Sequence, residues 1–560
     1  MKQISIDPRR SAKQGIDLNH ETVKRHTEIY NKLIEDIPRS SQGTVWLNPY
    51  GTAPLSGYLG IWSESEEKIQ IYITDNIGKS IPACYIWNTV KGANLIPILG
   101  MVPGSVNRIE VSVSGNNKNK YKEVFSIETA PLPPTDREIA VYPKDARFVG
   151  FPIYEVTVSA DDIPETLSEL YFTAFAARYN TGADDRGMVR WYTTDDIPAW
   201  NFERLSNGHF LSAAPEFDEG KLLYEFDMVG RVYKVFVLDN QCHHSVLQLP
   251  DGNILLPSEY TGESREDGLS IIDYKTGIEL AYYDIREILD TKRPPIPKTV
   301  PVKDWIHINQ SYWDTVNNLL ISSGRHQGIF GIDKDTAELA FILASHEDWS
   351  GEFEEFLLTP VDESKNPLYD LSDPNDIENA NKEFWPWGQH AVVEIPNATK
   401  GIAEFLVLDN GNYRSRIREH ALTAEENYSR VVRYRVNLDE MTVTKVYEYG
   451  KEEVGNRGYS SYVSNAELLE NGNYLVNFGG GTFDENGRRR TTIDGFADIS
   501  DPLSGEMVQG MVLIQEVNPI TGKPRLEFTC TSGRFKGKDE GKKFTVDLYS
   551  FRTHKLTLIP

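Results

Sequence analysis

The chain has 560 residues, with 58 Lys and Arg against 83 Asp and Glu, for a formal net charge of −25. No Lys/Arg block interrupts that acidic balance, which excludes nucleic-acid binding through phosphates because such binding needs a basic face. The surface is instead soluble and self-repelling, so an anionic ligand would need local positive charge inside a repelling shell.

Aromatics make up 11% of the chain, with 28 Tyr, and there are 42 Gly and 30 Pro. That mix favours many short strands joined by turns over a helical bundle. The opening MKQISIDPRR carries charges and a proline but no apolar core of a signal, so a cytoplasmic location is expected. No run of eighteen apolar residues predicts a membrane span. Cys84, Cys242 and Cys530 are far apart and match no metal spacing. Cys242 precedes a His pair, which raises a thiol nucleophile, but a buried inert cysteine is the commoner case.

Residues 18–36 set Val23, Ile29, Leu33 and Ile34 at roughly helical spacing and predict one short, exposed amphipathic helix. From about 44 to 130 the pattern becomes short alternating runs: KIQIYIT (68–74), ACYIWNT (83–89), NRIEVSV (107–113) and KEVFSIE (122–128). These predict a small β-sandwich. The stretch 128–136, ETAPLPPTD, predicts a stiff linker. The expected division is therefore residues 1–135, helix plus sandwich, and residues 136–560.

The second part contains an internal repeat. FERLSNGHFL (202–211), VLQLPDGNIL (246–255), VVEIPNA (392–398) and AELLENGNYL (466–475) are alternating strands running into a turn, most with an Asn-Gly pair. Each is followed by a second hairpin, as in IIDYKTGIELAYYDI (271–285), FGIDKDTAELAFIL (330–343), YRVNLDEMTVTKVYEY (434–449) and IQEVNPITGKPRLEFT (514–529). Two hairpins make a four-stranded blade. Units begin near 200, 244, 307, 390 and 464, and the residues before 200 and after 540 suffice for a sixth blade closed by both chain ends. The predicted class is all-β, a six-bladed β-propeller with an N-terminal sandwich. A pair of sandwiches or an open solenoid is the competing architecture, and the insertions at 345–386 and 480–505 break the period.

Aligned on the hairpin turn, one column stands out. His244 lies six residues before Pro250, His390 six before Pro396, Ser464 six before Glu470, and His307 falls at about the same place in DWIHINQSYWD. If these strands are innermost, imidazoles from three blades converge on the channel; the competing reading is three separate histidines bonded to carbonyls. Arg325, on the strand after His307, needs an anion if buried, either an ordinary Asp partner or a tetrahedral oxyanion that suits its planar fork. His326 should face the other way on a regular strand. Asn309 shares the face of His307 and could donate to a substrate oxygen or orient His307. Three histidines could also hold a metal, but no Asp or Glu sits in the column and Arg325 would repel a dication. Gly479–Gly481 lacks the strand–helix context of a nucleotide loop.

At these residues the chain resembles the bacterial arylsulfate sulfotransferases of the PAPS-independent type. NPYGTAPLSGYL (48–59) is similar to the opening of that family's N-terminal β-domain. CHHSVLQLPDGNILL, DWIHINQ, SSGRHQGIFGID and WGQHAVVEIPN are similar to its active-site strands in order. The resemblance implies a six-bladed propeller with an appended sandwich, a phenolic sulfate donor, a phenol acceptor and no cofactor, and it admits a homodimer. It implies that His390 attacks sulfur, that positive neighbours keep His390 unprotonated, and that His244, His307 with Asn309, and Arg325 support the transfer. It further implies that Ser464 replaces a family Thr and that Tyr549 matches a family Tyr. Many members are exported and carry a disulfide in the later blades; neither feature is visible here.

Overall fold

The computed structural model describes residues 14–39, 42–114, 122–135, 151–175, 179–194, 196–213, 221–259, 266–295, 304–483, 487–490, 509–531 and 548–559. Helix α1, Glu21–Glu35, falls where the spacing predicts it. One face is not exposed: Val23, His26 and Leu33 are buried, and the helix lies against strand Val232–Val237. Burying Val23 and Leu33 contributes about 1.5–3 kcal/mol each. His26 adds a fixed contact, its Nδ1 accepting from the Val232 amide at 2.9 Å. Burial pushes that imidazole down to about 4, which keeps Nδ1 an acceptor at neutral pH.

The runs between 44 and 128 form two antiparallel sheets, one of three strands and one of four. Strands Lys68–Asp75 and Val106–Ser114 alternate so that Ile69, Ile71, Ile73, Ile109 and Val111 turn inward and are buried. Residues after Glu128 continue without regular structure to 135. The sandwich is tied down by the Thr52 hydroxyl, which donates to the Gly230 carbonyl at 2.6 Å, and by the fully buried Arg190, which donates to the Ile81 carbonyl at 2.8 Å.

Among the described residues six further sheets follow, numbered I to VI, antiparallel except where Thr359–Pro360 pairs in parallel with Thr442–Tyr449 in sheet IV. Their first strands are Phe202–Arg204, Leu247–Gln248 (preceded by Gln241–Cys242), Ile308–Asp314, His390–Glu394, Asn465–Leu468 and, for sheet VI, Ser550–Thr557. Sheet VI joins this C-terminal strand to Glu169–Phe175, so the last strand of the chain and strands from the start of the second part complete it. Apolar clusters connect the sheets in sequence. Leu211 and Leu256 join I to II; Leu269 and Phe330, II to III; Ile321 and Phe405, III to IV. Leu408 and Val476 join IV to V, Phe528 and Phe175 V to VI, and Phe172 and Phe210 VI back to I. This cyclic order is the packing that a six-bladed propeller requires, since every sheet face is covered by its neighbour.

The first strands of sheets III, IV, V and VI touch one another in turn, which makes them the inner ones. Across the middle, Arg552 of sheet VI donates to the Asn309 carbonyl of sheet III at 3.3 Å and to the Gln310 side chain. At one end the strands are joined by tight turns. Asp251, Asp273, Asp333, Asn437 and Asn518 each accept backbone N–H groups two or three residues on. The other end carries the connections from sheet to sheet and the insertions. Residues 345–386 include helix α2, Pro374–Glu383, while most of 480–505 lies outside the described residues.

Candidate active site

The aligned column is a column of unusual backbone. His244, His307 and Ser464 have φ of 54°, 56° and 88°, and in sheet IV the left-handed residue is Ala391 at 59°, one position after His390. Left-handed conformation costs a non-glycine residue about 1–2 kcal/mol. It turns the side chains out of the sheet just where the inner strands begin, and the pairing registers slip at Ile308/Gln310 and His390/Val393 accordingly.

The turn brings three imidazoles together. Ring centroids are 4.8 Å apart for His244 and His307, 5.9 Å for His244 and His390, and 6.4 Å for His307 and His390. One nitrogen from each lies within 4.8 Å of the others. His244 and His390 are buried and His307 is partly buried, in the channel at the end bearing the long connections.

His390 is held by its Nδ1, which is 2.8 Å from Asn410 Oδ1 and 3.2 Å from the Gly388 carbonyl. Asn410 cannot flip, because its amide nitrogen donates to the carbonyls of Ser460 at 2.6 Å and Val463 at 3.2 Å. With two acceptors facing it, Nδ1 carries the proton and Nε2 keeps its lone pair. Burial, with the charge of Arg325 and then His244 nearby, pushes His390 well below the usual imidazole range, so the ring is neutral at pH 7. The loop carrying Asn410 is itself anchored by fully buried Asp409. Its carboxylate accepts from the Trp387 amide at 2.7 Å, from Arg414 at 2.8 Å and from Arg430 at 2.8 Å.

His307 is the opposite case. Its Nδ1 meets Asp304 Oδ1 at 3.0 Å and Glu266 Oε2 at 2.7 Å. Burial disfavours its charge, but the two carboxylates outweigh burial and push it up to about 10. The same contact holds Asp304 and Glu266 below their usual range against their own burial. His244 Nε2 is 3.3 Å from Glu266, its Nδ1 is buried with no hydrogen-bond partner among the described residues, and burial lowers the imidazole's pKa. The site therefore holds a cationic imidazole beside neutral ones.

Other expectations divide. Arg325 is buried, but it stands in the turn after strand Leu319–Gly324 and not on a strand, with Nη2 donating to the Ser461 carbonyl at 3.2 Å. Because 325–327 form that turn, His326 does not face away: its ring is 5.6 Å from His307 and its Nε2 is 3.7 Å from Asp304. Asn309 is engaged with the neighbouring sheet. Its Nδ2 donates to the Gln389 carbonyl at 2.7 Å and its Oδ1 accepts from the Ala391 amide at 3.3 Å, which clamps the backbone on both sides of His390. Ser464 is turned inward, its hydroxyl bonded to Ser460 at 2.8 Å and accepting from the Gly479 amide at 2.8 Å. Tyr549 is one ring removed from the histidines: it is 5.7 Å from Phe551, which is 5.6 Å from His244. Cys242 is fully buried and burial pushes its thiol up to about 12, the inert case. The glycines of 479–481 serve close packing, since a Cβ at Gly479 would strike the Ser550 carbonyl.

Carboxylates do sit at the histidines, contrary to the column's appearance. Asp304 was within reach of sequence, three residues before His307 in the same motif. Asn410 follows a strand in LDNGN, and Phe551 and Arg552 adjoin Tyr549. Glu266 has no repeat-based signal. Trp200 and Tyr462 complete an aromatic wall with Tyr549 and Phe551, Trp200 lying 4.6 Å from Phe551 and Tyr462 5.3 Å from Tyr549.

A ring of sheets with neutral and cationic imidazoles beside a buried arginine at one end of its axis defines a histidine-based, anion-handling site. The comparisons make the class specific. Residues 155–538 match the family described as arylsulfotransferase (ASST), and residues 44–130 match the arylsulfotransferase Ig-like domain. The chain belongs to the arylsulfotransferase family. It is 24% identical over 526 residues to an arylsulfate sulfotransferase of Escherichia coli O6:H1, covering 79% of this chain and 86% of that one. It is also 24% identical over 520 residues to one of Lelliottia amnigena, covering 77% and 83%.

Proposed function

We propose that this protein moves a sulfuryl group from a phenolic sulfate ester to an acceptor phenol, in two steps through His390. The observation that carries the reading is the fixed tautomer of His390: a neutral, buried imidazole whose Nε2 lone pair has two imidazoles and an arginine around it. In the first step Nε2 forms a bond to sulfur and the S–O bond to the aryl group breaks. In the second, the acceptor oxygen bonds to sulfur and the N–S bond breaks. Splitting one bimolecular transfer this way is covalent catalysis.

The supporting roles follow from charge. Arg325 and cationic His307 face the sulfuryl oxygens, where negative charge gathers, in a channel screened from water by Phe551 and its neighbours. His307 is pushed up to about 10, close to a phenol, whose ordinary value is about 10 as for tyrosine. That match lets it give a proton to the departing phenolate and take one from the acceptor at little cost. Asn309 and Asn410 act on His390 as positioning residues. Six sheets in cyclic order, read as a six-bladed propeller, supply the rigid channel.

Brief exposure to 4-nitrophenyl sulfate followed by intact and peptide mass spectrometry tests the reading. One sulfuryl group on the peptide holding His390, absent in His390→Ala, is the expected result; no adduct on the protein removes the covalent route. A second reading has one observation in its favour: His244, His307 and His390 are spaced to hold a metal ion. It requires His307 to give up its proton beside two carboxylates, and it puts Arg325 next to a dication. Chelator-sensitive turnover with stoichiometric metal would establish it.

A further inference from the structure

A cavity opens on the side of Arg325, toward the end of the ring with the long connections. Arg293, Arg325 and Arg416 line it together with Trp387, Asn412 and Tyr413. Three guanidinium groups on one cavity are unexpected in a chain of net charge −25.

Their hydrogen bonds show how the charge is balanced. Arg293 is 2% exposed and lies 4.2 Å over the Trp349 ring. It donates to the carbonyls of Glu347 at 3.1 Å, Gln327 at 3.3 Å and Ser345 at 3.0 Å, and to the Gln327 side chain at 3.0 Å. These are neutral acceptors. Arg416 donates to Asp348 Oδ2 at 2.7 Å and to the Pro294 carbonyl at 2.9 Å. Asp348 is the one carboxylate hydrogen-bonded to Arg293 or Arg416 among the described residues, while the carboxylates of Glu347 and Asp290 stand near Arg293 without bonding to it and offset part of its charge. Buried cations held mainly by carbonyls favour an anionic ligand, because a second charge of opposite sign repays their loss of water.

We propose that this cavity is an anion subsite, and that the preferred aryl ligands carry a second acidic group, such as a carboxylate, on the ring. The inference rests on the sulfuryl-transfer reading above. With the sulfuryl oxygens on Arg325, the ring lies along Trp387 and Tyr413 and the second anion meets Arg293 and Arg416. Carboxylate and guanidinium then form charge-assisted bonds that an uncharged phenol cannot.

The test compares 4-carboxyphenyl sulfate with phenyl sulfate under one acceptor, as a ratio of kcat/KM. The expected wild-type ratio is about tenfold in favour of the carboxylate, as for one charge-assisted bond. Arg416→Gln lowers the ratio toward one. Asp348→Asn, which removes the competing carboxylate from a partly exposed position, raises it. The opposite signs guard against a variant that merely misfolds, since misfolding lowers both rates together. A wild-type ratio near one, or a ratio unmoved in both variants, overturns the subsite. Absence of turnover on either ester in the wild-type enzyme would instead count against sulfuryl transfer itself.

Discussion

The two ends of the ring are built by different physics. At the tight-turn end, each turn closes on itself: an Asp or Asn side chain accepts N–H groups two or three residues on. At the other end, the bonds span the chain. Asn410 reaches Ser460, Asn309 reaches Gln389, and Arg552 reaches Asn309 from 243 residues away. Local closure makes the first end a repeating scaffold, whereas long-range closure makes the second a place where unlike residues meet. Strain is tolerated there at His244, His307 and Ala391 because neighbouring sheets over-determine it.

Substitutions at the two ends should therefore separate activity from stability. The largest effect is expected for His390→Ala: turnover of 4-nitrophenyl sulfate falls by at least about 10⁴-fold, as for loss of a nucleophile, with an unchanged thermal melt. Arg325→Gln should lower kcat by about 10²–10³, the usual cost of one oxyanion contact. Steady-state rates across pH add a second signature in that variant. Arg325 helps to depress His390, so its loss raises the His390 value and moves the acid limb to higher pH.

Next in size is the pH profile of the wild-type enzyme. The reactive form needs His390 neutral and His307 protonated. The first is held well below 6.5 and the second reaches about 10. Activity should stay level through neutral pH, without a step near 6.5, and decline as pH rises through about 10. His307→Gln should cost more with phenyl sulfate than with 4-nitrophenyl sulfate, whose more acidic phenol departs unaided; equal losses would refute proton donation by His307.

The smallest effect belongs to the scaffold end. Gly252 has φ of 89° and no described atom within 4 Å of where a Cβ would stand, so Gly252→Ala costs the conformational strain, about 1–2 kcal/mol. Denaturant unfolding should register that loss while kcat stays unchanged. A drop in kcat would erase the distinction between the ends.

The same distinction explains what could be seen in the sequence. Strand Lys122–Glu128 and the hairpins at 271–285 and 330–343 were visible because alternation and Asp- or Gly-bearing turns are local signals. The column of His244, His307 and His390 was visible because the repeat sets a register. The contacts of Glu266, Asn410 and Arg552 were not, since they sit outside the aligned positions and their partners are set by ring closure. Asn309 shows the limit most clearly: its face was predictable from strand period, yet its partners lie on the next sheet, at Gln389 and Ala391.

One kinetic measurement bears most directly on His390 as the carrier of the sulfuryl group. Rapid mixing with 4-nitrophenyl sulfate and no acceptor should release a burst of 4-nitrophenolate equal to the enzyme present, followed by slow turnover that added phenol accelerates. His390→Ala should show no burst. Linear release from the first turnover, or a burst that survives His390→Ala, would contradict transfer through this residue.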